Sequence, residues 1–190
     1  FYPLNSLTIE KAIFSSARFY GDADFRGAEF TRDADFRGAE FTRDADFRDA
    51  KFTGNAHFEC TEFTGNAHFA GVEFTGNADF VFAKFTSNTD FNRVYFEKYA
   101  PTFADIVGST LFSAQVNPQD YYFAVRQGSK PINCGTATLL GKTFEIPLGT
   151  VLFDPMSPKY KDGNYSGLSE LAKPIEESDN QGKAPPSKAQ

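Results

Sequence analysis

Residues 23–33 read ADFRGAEFTRD, and variants of this phrase follow one another without interruption to residue 96. The later copies are ADFRGAEFTRD at 34–44, ADFRDAKFTGN at 45–55, AHFECTEFTGN at 56–66, AHFAGVEFTGN at 67–77, ADFVFAKFTSN at 78–88 and TDFNRVYF at 89–96. The period is 11 residues, and phenylalanines recur at alternating steps of five and six. Such a strict internal repeat indicates an architecture in which each unit stacks on its neighbours.

The phenylalanines define the predicted core. A small or β-branched residue stands two positions before each of them, and residues two apart in an extended strand point to the same side. Each such pair therefore points inward, and the residue between them faces solvent. The predicted core residues are Phe25, Phe30, Phe36, Phe41, Phe47, Phe52, Phe58, Phe63, Phe69, Phe74, Phe80, Phe85, Phe91 and Phe96.

An α-helical interpretation of the same period has to be weighed, because 11-residue repeats also occur in right-handed coiled coils. The repeat contains glycine, threonine, asparagine and aspartate throughout, and these residues disfavour a helix interior. The sequence therefore favours an all-β, stacked solenoid.

The recurring Ala-Asp-Phe and Ala-Glu-Phe triplets resemble the pentapeptide-repeat protein family, whose motif centres on Leu or Phe with Ala two residues before it. The resemblance covers about residues 12–99 and implies a right-handed quadrilateral β-helix with four five-residue sides per coil. Here one residue is inserted after every second side, as at Asp33 and Asn55. Asp and Asn tolerate left-handed conformations, so we expect them to widen a corner.

With four sides per coil, each coil takes two of the 11-residue units, and the solenoid has about four coils. This predicts that the phenylalanines stack in four columns. The columns are Phe25, Phe47, Phe69 and Phe91; Phe30, Phe52, Phe74 and Phe96; Phe36, Phe58 and Phe80; and Phe41, Phe63 and Phe85.

The predicted organisation is an N-terminal cap at 1–11, the β-helix at 12–99, a C-terminal cap and small β or irregular module at 100–165, and a docking or flexible tail at 166–190. PTFADIVGSTLFSAQV at 101–116 predicts a short helix over the C-terminal end of the stack. A second short helix is predicted at 168–172. Strands are expected in DYYFAVRQ, ATLLGKTFEIP and GTVLFDP, between turn signals.

GTATLLGKT at 135–143 ends in Gly-Lys-Thr, as a phosphate-binding loop does. Five residues separate Gly135 from Gly141 where that motif has four, and FEIP follows where a helix should begin. A β-hairpin turn at 140–142 is the preferred interpretation.

The sequence predicts no catalytic residue, no metal site and no cofactor. His57 and His68 are 11 residues apart, which places them on opposite sides of a four-sided coil. His57 and Cys60 share a side, but two ligands do not make a zinc site. The outward carboxylates lie on a convex surface without a pocket to shift their pKa values. We therefore expect a protein that is not an enzyme.

The net charge is −6, and acidic residues outnumber basic ones in the repeat, which argues against direct nucleic-acid binding by a basic surface. No stretch approaches the roughly 18 apolar residues of a membrane span. The expected partners are other protein subunits or copies of the chain, and peripheral membrane association stays open. Outward positions become apolar in the later coils, so Val81, Phe82 and Tyr95 are predicted contact residues. Cover by the chain's own C-terminal segment is favoured over another subunit.

Three functions fit these features. The first is a structural or interaction subunit of a larger assembly that binds neighbours through the β-helix and the C-terminal extension. The second is a filament protomer stacked end to end. The third is an acidic DNA mimic that inhibits a nucleic-acid enzyme, which the short prism and the arginines of the first coils weaken. An exported, extracellular or lumenal location is expected over a cytoplasmic one, and the resemblance implies the thylakoid lumen among these.

Overall fold

The structure is a computed structural model that describes residues 7–159 and 165–175. In this part of the chain short parallel strands form a solenoid, and an extension covers its C-terminal end. The strands are β1 (Thr8–Ile9), β2 (Ala12–Ile13), β3 (Arg18–Phe19), β4 (Ala23–Asp24), β5 (Glu29–Phe30), β6 (Ala34–Asp35), β7 (Glu40–Phe41), β8 (Ala45–Asp46), β9 (Lys51–Phe52), β10 (Ala56–His57), β11 (Glu62–Phe63), β12 (Ala67–His68), β13 (Glu73–Phe74), β14 (Ala78–Asp79), β15 (Lys84–Phe85), β16 (Thr89–Phe96), β17 (Leu111–Ser113), β18 (Tyr121–Val125), β19 (Cys134–Leu139), β20 (Lys142–Pro147) and β21 (Val151–Phe153).

The strands form four sides. Face 1 contains β1, β5, β9, β13 and the end of β16, and face 2 contains β2, β6, β10 and β14. Face 3 contains β3, β7, β11, β15, β17 and β21, and face 4 contains β4, β8, β12, the start of β16, and β18. Each residue pairs in parallel with the residue one coil away, as Ala34 does with Ala56. The predicted four-sided β-helix of two units per coil is confirmed.

Stacked phenylalanine rings fill the interior. Within the four columns, successive ring centroids lie 4.5–5.1 Å apart with nearly parallel planes, as in the pairs Phe30–Phe52 and Phe41–Phe63. Within a coil the rings are tilted or meet edge to face; Phe36 and Phe47, for example, stand 5.5 Å apart at 89°. Both arrangements are favourable for aromatic pairs. The column phenylalanines are buried, and the alanines two residues before them leave room for the rings.

One corner of each half-coil is a tight turn that needs a left-handed residue. The Ala39 N–H donates to the Phe36 carbonyl at 2.9 Å, and Gly38 between them has φ 64°. A positive φ at the third position defines a type II turn, which favours glycine. The position recurs every 11 residues, at Ser16, Gly27, Gly38, Asp49, Cys60, Gly71, Phe82 and Arg93.

The inserted Asp and Asn residues occupy the alternate corner, where their side chains have a hydrogen-bonding role that the sequence analysis did not predict. Oδ1 of Asp33 accepts the backbone N–H of Asn55 at 2.8 Å, and Oδ1 of Asn55 accepts that of Asn77 at 3.0 Å. Within the solenoid, residues 12–96, the left-handed residues lie at the tight turn and not at these insertions. The insertions therefore do not use the left-handed conformation that Asp and Asn tolerate, and their side chains serve as hydrogen-bond links between coils.

The helix predicted at 101–116 is wrong. Phe103 stacks on Phe80 at 5.0 Å and Phe112 on Phe85 at 5.2 Å, so this segment adds another layer to the columns. Strand β17 pairs in parallel with β15, which satisfies the backbone without a helix. A 3₁₀ helix at Pro118–Asp120 is the helical segment within the described residues.

The second predicted helix, at 168–172, is also wrong. The Ser169 N–H donates to the Leu152 carbonyl at 2.9 Å, and the Ala172 N–H donates to the Thr150 carbonyl at 2.8 Å. These bonds hold the segment extended against the neighbourhood of β21. Long-range pairing therefore outweighs the local helix preference here.

An antiparallel hairpin of β19 and β20 covers the C-terminal end of the stack. Leu140 and Gly141 both have positive φ, 52° and 70°, as a two-residue type I′ turn requires. The hairpin interpretation of GTATLLGKT is confirmed. Its Phe144 is buried and lies 5.9 Å from the ring of Tyr121, while Phe123 stacks on Phe91.

Parallel pairing crosses the two boundaries of the predicted β-helix, at residues 11/12 and 99/100. Strand β1 already pairs with β5, inside the predicted cap at 1–11, and β17 continues face 3 beyond residue 99. The division of the chain stays a prediction. Residues 1–6 of the cap, 160–164 of the predicted module and 176–190 of the predicted tail lie outside the described residues.

Candidate interaction surface

The outward residue of each short strand forms a column along its face. Parallel register places each of these side chains directly above its counterpart one coil earlier. The columns are Glu29, Lys51, Glu73 and Tyr95 on face 1; Ile13, Asp35, His57 and Asp79 on face 2; Arg18, Glu40, Glu62 and Lys84 on face 3; and Asp24, Asp46, His68 and Asp90 on face 4.

Most aspartates of these columns clamp the turn that follows them. Oδ1 of Asp35 accepts the backbone N–H of Arg37 at 3.0 Å, and Oδ2 accepts the Arg37 guanidinium at 2.6 Å. Asp24 and Arg26 repeat the arrangement at 3.1 and 2.7 Å. The arginine hydrogen bond holds the pKa of each of the two carboxyls below its ordinary value. These carboxylates are engaged in structure and are poor candidates for general acid or base catalysis.

The C-terminal end of face 2, at Asp79, lacks this hydrogen bond to an arginine. Asp79 still accepts the N–H of Val81 at 2.9 Å, but valine offers no counter-charge. Burial raises the pKa of Asp79, and the negative charges of Glu59 and Asp105 raise it further. Oε1 of Glu59 lies 3.2 Å from His57 Nδ1, whereas Oε2 is buried without a hydrogen-bond partner among the described residues. This end of face 2 is therefore acidic.

Residues 105–108, called the apolar loop below, form the next corner beyond this acidic region. Oδ1 of Asp105 accepts the N–H groups of Val107 at 2.8 Å and Gly108 at 3.0 Å, and the Asp105 N–H donates to the Gly108 carbonyl. These bonds fix the turn while Ile106 is fully exposed and Val107 is 69% exposed. Because Ile106 and Val107 are adjacent, apolar and exposed on a fixed turn, this loop is a candidate contact site.

The three predicted contact residues lie in different surroundings. Val81 is only 4% exposed, as cover by the chain itself would leave it. Phe82 is 44% exposed, and its ring packs against Gly108 of the apolar loop. Tyr95 is half-buried on face 1, with the Arg126 guanidinium carbon 4.7 Å from its ring centroid. The structure thus brings Phe82, but not Tyr95, to the apolar loop.

Sequence reasoning missed Ile106 and Val107. The letters Asp-Ile-Val-Gly carry a turn signal, since Asp favours the first position of a turn and Gly the last. The helical interpretation of 101–116 hid that signal.

The opposite end of face 2 carries an open groove beside the first coil, called the N-terminal groove below. Ile13, 60% exposed, forms its apolar part. Charged side chains surround Ile13, and Asp33 is already engaged by the Asn55 N–H. The groove is lined by Glu10, Lys11, Ile13, Arg32, Asp33 and Arg37, among others.

The histidines and cysteines do not converge. His57 lies on face 2 and His68 on the opposite face 4. Cys60 is exposed at a tight corner, and burial raises the pKa of the Cys134 thiol to about 12. Over residues 7–159 and 165–175, no group of three or more His, Cys, Asp or Glu side chains is placed to hold a metal ion.

The fold and its columns define a parallel β-solenoid protein. The family model described as pentapeptide repeats (9 copies) matches residues 14–61, which lie within the β-helix of this chain. Comparison with curated proteins gives no match, and comparison with solved structures gives none either. Among the described residues, no helix has the length and apolar character needed to cross a bilayer.

Proposed function

We propose that this protein is a non-enzymatic structural subunit that holds other proteins through its β-helix faces and C-terminal extension. The apolar loop carries this proposal, because it presents Ile106 and Val107 to solvent from a turn fixed by hydrogen bonds. The match of residues 14–61 to the pentapeptide-repeat family model supports a structural or interaction role in general. A rigid surface loses little conformational entropy when a partner binds to it.

The chemistry of the columns supports the same role. Asp24 and Asp35 are carboxylates, the kind of side chain that a catalytic acid–base pair would use. Ion pairs with Arg26 and Arg37 hold both of them against the turns that follow. The alternative of an acidic DNA mimic is less well supported, because these arginines neutralise carboxylates of the columns and His68 interrupts the column of face 4. A rod that imitates DNA needs an uninterrupted line of negative charge.

The test is co-purification under native conditions followed by mass measurement of the intact complex. We expect a second protein in fixed stoichiometry with this chain, and we expect the double variant Ile106→Asp, Val107→Asp to lose it. Met156→Asp is the matched control, because Met156 is 80% exposed outside the apolar loop. A chain recovered without any other protein contradicts the subunit role, and inhibition of DNA supercoiling by gyrase would favour the mimic instead.

A further inference from the structure

The C-terminal end of face 4 carries an open depression of about 310 Å³, called the tyrosine depression below. It is lined by Asn88, Asp90, Asn92, Gln119, Asp120 and Tyr122. The parallel register of β16 and β18 places Tyr122 directly above Asp90, and the Tyr122 side chain is 52% exposed. The lining therefore combines one exposed aromatic ring with two carboxylates and three amides, and none of these six residues is basic.

Asp90 differs from the aspartates below it on face 4. At Asp24 the residue two positions later is Arg26, whose guanidinium pairs with the carboxylate at 2.7 Å. At Asp90 that residue is Asn92, which donates its backbone N–H to Oδ1 at 2.7 Å but offers no counter-charge. Oδ2 of Asp120 accepts a backbone N–H at 2.9 Å. Over residues 7–159 and 165–175, neither Asp90 nor Asp120 forms an ion pair.

Face 1 shows what a carboxylate below a tyrosine holds in this protein. The register of β13 and β16 places Tyr95 directly above Glu73. The Arg126 guanidinium donates to Oε1 of Glu73 at 2.7 Å, and its carbon lies 4.7 Å from the centroid of the Tyr95 ring. Face 4 repeats this vertical order with Asp90 and Tyr122.

A second arginine of the chain is held by the same two kinds of group. The Arg18 guanidinium donates to Glu40 at 2.8 Å, and its carbon lies 5.2 Å from the centroid of the Tyr20 ring. A guanidinium suits such a pair because it is always charged, forms directed hydrogen bonds to carboxylates and stacks on aromatic faces. The tyrosine depression offers these contacts together with a second carboxylate.

We propose that the tyrosine depression binds an arginine side chain of a partner protein. The guanidinium stacks on the ring of Tyr122 and donates to Oδ2 of Asp90 and Oδ1 of Asp120. The arginine comes from another molecule, because the arginines of residues 7–159 and 165–175 lie outside the lining and residues 1–6, 160–164 and 176–190 contain none. The proposal rests on the interaction role above and names the chemistry of one contact to the partner.

The experiment is a titration of the full chain with the peptide acetyl-Gly-Arg-Gly-amide, followed by NMR through the backbone N–H signals of Asn92 and Tyr122. We expect saturable binding in the millimolar range. Two matched peptides replace arginine by lysine or by citrulline, which keeps the shape of arginine but is neutral. Affinity should fall severalfold with lysine, which lacks a planar group to stack, and about tenfold or more with citrulline, which lacks the charge.

Variants of the lining test which groups hold the guanidinium. Tyr122→Leu and Asp90→Asn should each raise the dissociation constant about fivefold, because the first removes the ring and the second the charge. Tyr122→Phe keeps the ring and should bind as the wild type does. Asp24→Asn is the matched control, since Arg26 already engages that carboxylate on the same face. Circular dichroism checks folding, which we expect to persist because Tyr122 is half exposed and asparagine keeps an acceptor for the Asn92 N–H.

Absence of binding by the arginine peptide would overturn the proposal, as would equal affinity for the arginine peptide and either matched peptide. Unchanged binding by both Tyr122→Leu and Asp90→Asn would overturn it as well. None of these results bears on the subunit role, which the recovery of a second protein under native conditions decides. A chain recovered alone that still binds the arginine peptide through Tyr122 would contradict the subunit role and leave the guanidinium site in place.

Discussion

The ring of Phe82 lies directly against Gly108, where an added Cβ would clash with Cε1 of the ring. This contact joins a tight corner of the solenoid to the apolar loop. Phe82 accepts a left-handed backbone, φ 60°, to reach this position. The loop is therefore fixed both by its own hydrogen bonds and by an aromatic side chain of the coil below.

Gly108→Ala should displace this ring or the loop. We expect a loss of about 1–2 kcal/mol in the free energy of unfolding, the usual cost of overpacking, measured by urea denaturation. Gly21→Ala is the control, because a Cβ at Gly21 meets nothing within 4 Å. In a Phe82→Ala background the Gly108→Ala change should cost much less. Equal costs in both backgrounds would show that the ring is not the obstacle.

Phe58→Ala should be among the most damaging changes in the chain. Phe58 is fully buried, with stacked rings of Phe36 at 5.0 Å below and Phe80 at 5.1 Å above. Removing the ring leaves a cavity within the column, which costs about 3–5 kcal/mol. Tyr20→Ala, at a residue 73% exposed, should change the unfolding midpoint little. Similar losses for the two variants would contradict the stacked core.

The tight corners allow a matched pair of substitutions. Cys60 is exposed with φ 59°, so Cys60→Gly should stabilise the protein by about 1 kcal/mol through relief of the left-handed conformation. Gly38 has the same role one coil earlier, with φ 64° and only an ordinary contact for a Cβ. Gly38→Ala should therefore destabilise by a similar amount. Thermal unfolding measures both, and a shift in the same direction for the two would refute the turn assignment.

The sequence was sufficient for the solenoid because its information is local and repeated. A small residue two positions before each phenylalanine determines which side points inward, and the fixed period determines which rings stack, as in Phe25 on Phe47. Beyond residue 99 the period fails. Phe103 and Phe112 still join the columns, but the apolar loop between them lengthens the corner, so no repeat marks their register.

The candidate surface was harder to predict for the same reason. The sequence predicts Phe82 as a contact residue because it occupies a position of the 11-residue period that holds Gly38 or Cys60 in other units. Ile106 and Val107 belong to no period, and only the three-dimensional turn shows that they point to solvent. The hydrogen-bond role of Asp33 was likewise hidden, because its partner Asn55 is a full coil away in sequence.

Asp35 and Asp79 occupy the same column yet should respond oppositely to substitution by asparagine. The Arg37 hydrogen bond lowers the pKa of Asp35 below its ordinary 3.8, so its ionised form stabilises the fold. Burial raises the pKa of Asp79 above 3.8, so its ionised form destabilises the fold at neutral pH. At either position asparagine keeps an Oδ1 atom that can accept the backbone N–H two residues later, that of Arg37 or Val81. At pH 7 Asp35→Asn should therefore lower stability and Asp79→Asn should raise it.

The pH dependence separates these charge effects from packing. The stabilisation from Asp35 is present above pH 3.8 and is lost as the pH falls through its lower folded-state pKa. The penalty at Asp79 is present above its raised folded-state pKa and is relieved as the pH falls from that value to 3.8. Urea midpoints measured from pH 7 down to pH 3 should show that the stability gain of Asp79→Asn vanishes at a higher pH than the stability loss of Asp35→Asn. A gain that persists unchanged at pH 3 would mean that the carboxylate charge is not its cause.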